Sequence, residues 1–319
     1  MIGCLIEQMH LIVDGPLGIP DCESFRVAMS EDGVLIVGET AGSGHCRAGR
    51  SCRIWQGNNP LIRTVNESIR YRALVRALVV RHMAGRYRGS VLGFFWSLLN
   101  PLCLMAVYTL VFKYYIRFHD VEHYTLFVFC GLLPWVWTQS SLIEGTSSIA
   151  GSGHLVTKSM FPPHILPLVT VCTGLAHFLL SLPVMFIFSF FLGGVWSWSL
   201  LLLPIIIGLQ FGLLYGLVLA GSAVNVFYRD VQHLVGNLLS LLFFLCPIVY
   251  PATQVPAAFS WTLWVNPFAV IIQLYHRVVL QGEVPSLLLL GDALCWAVAS
   301  VAIGSIIFQR YRDHLAEVL

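Results

Sequence analysis

Four groups of residues in this sequence have the types that chemistry needs. "VLIVGETAGSGH" (34–45) runs from an apolar stretch into glycines, the order of a phosphate-binding turn. A P-loop requires G-x-x-x-x-G-K-[ST], because its lysine must reach the terminal phosphates. Gly38 and Gly44 have the wrong spacing, His45 stands in the lysine's place, and the only two lysines, Lys113 and Lys158, follow no glycine. The chain is therefore not expected to bind nucleotide. "HDVEH" gathers His119, Asp120, Glu122 and His123. Two histidines four apart converge on a metal when a helix carries them, and in a short loop the group reads as solvated polar residues. Glu144, His177 and Asp292 lie in or beside apolar stretches, where ionisable groups are functional by default. Glu144 and Asp292 sit near the stretch ends, within reach of water, and His177 reads as a hydrogen-bonded bundle residue. Nothing here makes a proton relay or a nucleophile with its base. The fourth group is Arg229 and Asp230 within "NVFYRDVQHLV" (225–235), the only full charges between Lys158 and Arg277. They are either an ion pair inside a membrane or part of a loop that surfaces and meets a partner.

The elements that carry these groups are set by composition. Of 319 residues, 57% are hydrophobic and 11% charged, where soluble domains carry about 25% charged residues. That is a membrane protein. A net charge of +2 gives no footprint for nucleic acid. The nine cysteines form no C-x-x-C pair, and Cys103, Cys130, Cys172, Cys246 and Cys295 fall in apolar runs as small buried hydrophobes. A crossing needs about 20 apolar residues. Residues 91–112, 124–143, 165–192, 199–227 and 287–309 meet that requirement. The stretch from Leu234 to Tyr275 has no ionisable acid, base or histidine and is too long for one crossing. It reads as a span ending near Tyr250, then a re-entrant segment over 251–270 broken by "YPATQVP". Non-helical backbone at that depth is tolerated only against protein or a water-filled cavity. The expected fold is an all-α membrane protein with six crossings and re-entrant outer helices between spans five and six.

Lysine and arginine set the orientation. With the N-terminus inside, the inner flanks hold Arg63, Arg70, Arg72, Arg76, Arg81, Arg86, Arg88, Lys158, Arg229, Arg310 and Arg312, and the outer flanks only Lys113, Arg117 and Arg277. Both termini are expected in the cytoplasm, which places Arg229 and Asp230 on an inner turn between spans four and five. Ahead of the first span, Thr64 and Glu67 form a capping box. Leu74, Val75, Leu78 and Val79 share one helical arc opposite Arg72 and Arg76, the pattern of an amphipathic helix lying in the interface. Residues 1–58 have no basic start and are no signal peptide. They read as an N-terminal extension of unknown role, a small added unit or disordered, with Met29 as an alternative start, and 59–319 as the transmembrane domain. The inner loop 147–167 pairs Leu155, Val156, Lys158 and Met160 with the rigid stop Phe161-Pro162-Pro163. Two inner loops with apolar tips, on a chain with no energy source of its own, imply a separate motor that grips both.

"RYRGSVLGFFWSLLNPLCLMAVYTLVF" (86–112), "HLVTKSMFPPHILP" (154–167), "NVFYRDVQHLV" (225–235) and "CPIVYP…VP…WVNPF" (246–268) closely resemble the membrane subunits of polysaccharide-exporting ABC transporters of the ABC-2 type. These move O-antigen, capsule or teichoic acid chains. The resemblance runs from about Arg63 to Leu319. His82 and Ala84 stand where members often carry an acid and a lysine, and His154 and Thr157 replace an Asn and a Lys. The resemblance implies a homodimer in the bacterial inner membrane served by two copies of a separate ATPase subunit, which binds ATP and Mg, with no cofactor in this chain. It gives Leu155, Lys158, Phe161, Pro162, Phe227, Tyr228, Arg229 and Asp230 the role of coupling to that ATPase. The substrate it implies is a polysaccharide on undecaprenyl diphosphate or another lipid. Arg72, Arg76, Arg81, Arg86 and Arg88 are placed to attract the anionic head group. Tyr108, Phe112, Tyr115, Trp135, Trp137 and Tyr250 are candidates to line the sugar path, although Trp and Tyr form interface belts in any membrane protein. A drug- or lipid-exporting permease shares the plan. A membrane glycosyl or acyl transferase would need convergent catalytic groups. A channel or secondary transporter would need internal repeats or intramembrane charges.

Overall fold

Uncharged runs of Leu, Val, Ile and Phe fold as helices here because, in lipid, every backbone N–H and C=O must find its partner within the chain. The structure, a computed structural model, describes residues 25–29, 35–39, 70–90, 93, 95–116, 123–153 and 162–318. The chain divides into two units, Met1–Trp55 and Gln56–Leu319. The first contains an antiparallel hairpin, β1 (Phe25–Met29) on β2 (Leu35–Glu39), with Val27 opposite Val37. The hairpin lies within the N-terminal extension, outside the transmembrane domain. The Gly38–Gly44 and HDVEH groups and the Thr64–Glu67 box lie wholly or mostly outside the described residues.

The second unit is helical: α1 (Arg72–Tyr87), α2 (Phe95–Tyr108, continued by a π-helical stretch to Tyr115), α3 (Tyr124–Ser147), α4 (Ile165–Phe191), α5 (Leu203–Phe227), α6 (Val231–Leu245), α7 (Thr262–Val265), α8 (Pro267–Tyr275, continued to Gln281) and α9 (Leu287–Val318). Among the described residues, five spans are long and apolar enough to cross a membrane: Phe95–Tyr115, Tyr124–Ser147, Ile165–Phe191, Trp198–Phe227 and Leu287–Arg312. The segments Ala257–Val265 and Pro267–Gln281 meet at 93° and would make a sixth if counted as one. The described spans are central or peripheral to different degrees. Across its most apolar stretch α3 is 78% buried, against 17% for α2. The ends of α3 and α5 with the start of α4 form one end of the bundle, which carries Arg86 of α1 and Arg229. Tyr124, Phe191 and Leu287 mark the far end.

The expected fifth span is shorter than its sequence predicts. The helix α6 stops at Leu245, about 22 Å long at 1.5 Å per residue, below the ~30 Å of a hydrocarbon core. The cause is Pro247, whose ring excludes the preceding residue from helical backbone: Cys246 is extended at φ −94°, ψ 142°. The same rule breaks the chain at Pro267, where Asn266 has φ −86° and ψ 108°. Asn266 repairs that break, its Oδ1 accepting from the Phe268 N–H at 3.1 Å while its Nδ2 reaches Cys246 Sγ at 3.3 Å. One amide thus starts α8 and ties it to the end of α6. Deeper in the bundle Gln210 does similar work. Its Nε2 donates to the Pro134 carbonyl and to Thr138 Oγ1, and its Oε1 accepts from the Tyr275 hydroxyl at 2.8 Å, joining α3, α5 and α8.

The largest helix contact is α5 on α9. Small residues permit it, as they do where backbones approach closely in membranes. Gly216 sits against the Ser300 backbone and Gly304 against the Gly216 carbonyl, so a Cβ at either position would overlap main chain. Ser300 Oγ donates across the seam to the Leu213 carbonyl at 2.7 Å. A buried overlap of this kind costs about 1–3 kcal/mol or more. Gly304→Ala is expected to lower the amount of protein in the membrane fraction several-fold, whereas Gly208→Ala, with nothing within 4 Å of its added Cβ, should leave it unchanged. Immunoblots of detergent-solubilised membranes compare the two.

Candidate functional site

The arginine-rich end of the bundle presents two features, a turn and a cavity. The turn follows α5, where the backbone leaves helical conformation at Tyr228 (φ −127°, ψ 91°) and α6 begins at Val231. Its shape comes from buried anchors on either side. Asn225 is buried at the end of α5, and its Oδ1 accepts from the Gln232 N–H at 3.2 Å. Phe227 tucks beside Tyr311 of α9, ring centroids 5.0 Å apart. The Val231 N–H closes the turn on the Tyr228 carbonyl at 3.1 Å. What remains outside is Tyr228, Arg229, Asp230 and Leu234, all exposed. Asp230 occupies the N-cap position of α6 without a side-chain cap. Arg229 and Asp230 form no ion pair with each other, which corrects the expectation of one. They are two separate charges on a turn that Asn225 has already fixed.

The one ion pair among the described residues is elsewhere, between Arg86 of α1 and Glu144 of α3. It spans a cavity of about 650 Å³ between α1 and the adjoining ends of α3 and α4, lined also by Leu78, Arg81, His82, Ser147, Ser148, Ser152 and Thr170. The helix α1 has two working faces. Val75 is buried with Ile149, Ile165 and Val169, with Leu74, Leu78 and Val79 packed around it, as the sequence arc predicts. Leu78, Arg81, His82, Gly85 and Arg86 recur at helical spacing along the cavity. Of the five arginines singled out, Arg81 and Arg86 line it, while Arg72, Arg76 and Arg88 are exposed away from it. A forked guanidinium pair is suited to phosphate oxygens. Ser148 and Thr170 turn their hydroxyls back on the Gly145 and Pro167 carbonyls at 2.7 Å, so the charged groups dominate the lining.

The aromatic residues divide. Trp135 and Trp137 are 3% and 2% exposed and belong to the packing. Trp135 meets Phe243 and Phe268 edge-on, and Trp137 stacks on Phe178 while its N–H donates to the Val171 carbonyl. Their place as candidates for a sugar path is corrected: no face of either is open to a polymer. Tyr108 is half-buried against Phe243 with centroids 5.4 Å apart, Phe112 is half-buried beside it, and Tyr115 is exposed. Tyr250 is half-buried with its hydroxyl on the Phe244 carbonyl. Leu155, Lys158 and Phe161 lie outside the described residues, and Pro162 is half-buried ahead of α4. Sequence reasoning missed Asn225 and the Arg86–Glu144 pair. A lone Asn among apolar residues at the end of a span was a signal for the first, but nothing in the sequence joined residues 58 positions apart for the second.

A family model described as "ABC-2 type transporter" matches residues 73–280, which include all of α1 after Arg72, the cavity and the turn. The chain belongs to the ABC-2 type transporter family. It is 36% identical over 265 residues to the "O-antigen export system permease protein RfbA" of Myxococcus xanthus, an alignment covering 81% of this chain and 99% of that one. A protein of the same description from Klebsiella pneumoniae is 32% identical over 242 residues, 73% of this chain and 90% of that one. The "Polysialic acid transport protein KpsM" of Escherichia coli is 24% identical over 254 residues, 76% and 94% of the two chains. The family and these relatives make the chain a transport permease subunit.

An exposed charge with no ion-pair partner among the described residues contributes at most about 1 kcal/mol, whereas a half-buried N–H such as that of Gln232, left without its acceptor, costs up to about 1–3 kcal/mol. Arg229→Ala and Asp230→Ala are therefore expected to insert normally, and Asn225→Leu to lower the thermal stability of the detergent-solubilised protein. Fluorescence-detected size-exclusion chromatography after a temperature series separates them.

Proposed function

We propose that this chain is the permease subunit of an ATP-driven exporter that carries lipid-linked O-antigen across the bacterial inner membrane. The observation that carries the proposal is 36% identity along 99% of a relative named for O-antigen export. Two copies of the chain would form the conduit, with two copies of a separate ATPase binding ATP and Mg²⁺ beneath them. The sparse burial of α2 and the exposed Leu234, Leu238, Leu241 and Leu245 along one face of α6 support pairing with a second copy, since their 4-3-4 spacing is that of a helix-packing seam. The arginine bias supports an orientation with both termini in the cytoplasm. Capsule export is the second reading, favoured by the likeness to a polysialic acid transporter.

The geometry supports a division of labour. Closure of the ATPase dimer would press on the turn at Tyr228–Asp230, and the stroke would pass into α5 and α6 through the Asn225 anchor and into α9 through Phe227 and Tyr311. The cavity beside α1 would receive the diphosphate of an undecaprenyl-type carrier. Arg86 exchanges its hydrogen bond to Glu144 for one to phosphate, and Arg81 supplies the second positive charge.

Deleting the gene should abolish surface O-antigen and trap its lipid-linked form inside the cell, and the wild-type gene should restore it. Arg229→Ala or Tyr228→Ala should reduce export at least tenfold at normal protein abundance. Unchanged surface polysaccharide in the deletion strain would overturn the proposal, as would ATP hydrolysis by the purified chain alone.

A further inference from the structure

At the far end of the bundle a second cavity, about 590 Å³, lies between the start of α3, the loop after α4, the segment after α6 and the turn after α8. Its volume is within the ~300–1,000 Å³ of small-molecule sites. The walls are fixed from several directions. The Tyr124 hydroxyl donates to the Val249 carbonyl at 2.6 Å, and Ser199 Oγ donates to the Val278 carbonyl at 3.0 Å. Gly282, at φ 66°, lets the turn lie close against Val195. His276 is buried, stacked on Phe127 with centroids 4.2 Å apart. Gly131 makes room for it, since a Cβ there would sit 3.0 Å from its Nε2.

The hydrogen-bonding character of this lining follows from the bonds already made. His276 Nε2 lies 3.1 Å from the Phe127 carbonyl. A carbonyl only accepts, so Nε2 carries the proton and Nδ1 is left as an acceptor. Gln273 donates from Nε2 to the Leu263 and Ala269 carbonyls, both at 3.2 Å, which leaves Oε1 as an acceptor. Arg277 is half-buried and brings donors only, and Thr253 and Gln281 are exposed at the rim with groups that donate and accept. One cation among several acceptors is poor for a phosphate, and the polar lining is poor for an acyl chain. Sugars fit it. Each hydroxyl of a pyranose both donates and accepts, and its C–H face suits the apolar part of the wall at Val195, Ala252 and Leu280.

We propose that this cavity is a carbohydrate subsite that holds one or two pyranose units of the glycan on the far side of the membrane, in each copy of the permease. The proposal rests on the polysaccharide-export reading, and a two-part experiment keeps the two separable. The full-length permease with its ATPase partner, in nanodiscs, is titrated with the host's own O-polysaccharide freed of lipid by mild acid, and binding is read by saturation-transfer NMR. Arg277→Ala and Gln281→Ala, neither of which takes part in the buried His276–Phe127 contact, should each weaken binding at least tenfold, while Gly208→Ala, with open space around its added Cβ, should bind as wild type does. Equal binding by all variants, or no binding by the wild type at millimolar glycan, would overturn the subsite. In the second part the same variants complement the deletion strain. Failure of the wild-type gene to restore surface polysaccharide sinks the export reading, whereas restoration by wild type together with undiminished glycan binding by Arg277→Ala sinks the subsite alone.

Discussion

Lipid offers the backbone no hydrogen bonds, and most of this structure answers that constraint. Where helices run uninterrupted the answer is local. Where proline interrupts them, a side chain takes over. Asn266 serves the Phe268 N–H beyond the break at Pro267 and Tyr124 serves Val249 in the irregular stretch after α6, while inside the bundle Gln210 of α5 bonds the Pro134 carbonyl and Thr138 of α3. Each of these polar residues is buried, and each joins two elements that would otherwise have only dispersion to hold them. In hydrocarbon, apolar contact between helices gives little advantage over contact with lipid, so close backbone approach at Gly216 and Gly304 and a few satisfied polar bonds must specify the arrangement.

The same constraint separates the stiff interior from the surfaces available for function. The turn Tyr228–Asp230 is exposed, but its anchors Asn225 and Phe227 are held in the bundle. A push on the turn is thus delivered to α5, α6 and α9 together. The helix α1 is held differently, by an apolar arc on one face and by the half-exposed Arg86–Glu144 pair on another. Such a pair contributes little stability, so in the proposed mechanism an anion would exchange for the carboxylate at small cost. One end of the bundle therefore combines a rigid handle and a loosely latched basic cavity.

Much of this was legible in the sequence. Hydropathy gave most of the crossings, because spans need length and lack charge. The 3.6-residue period placed Leu74, Val75, Leu78 and Val79 against the bundle, and the motif "NVFYRDV" marked a turn. Local breaks were harder. That α6 stops at Leu245 depends on Pro247 one residue after Cys246, a rule visible in "LCPIVYP" but outweighed by the length of the apolar run. Long-range pairing was not legible at all. Nothing in the order of residues joins Arg86 to Glu144, or assembles Thr253, Gln273 and Arg277 around one cavity. Trp135 and Trp137 show the limit of residue type as a guide, since an aromatic ring suits a sugar face and a packed core equally, and only burial decides.

The most direct measurement is translocation by the reconstituted assembly. The chain and the partner ATPase of the proposed exporter are placed together in proteoliposomes carrying the lipid-linked polysaccharide, and transported glycan is scored by its accessibility to a membrane-impermeant glycosidase. ATP with Mg²⁺ is expected to change that accessibility with time, and omission of either subunit or a non-hydrolysable nucleotide to abolish the change. Glycan that never changes sides, although both subunits are present and ATP is consumed, would contradict the account.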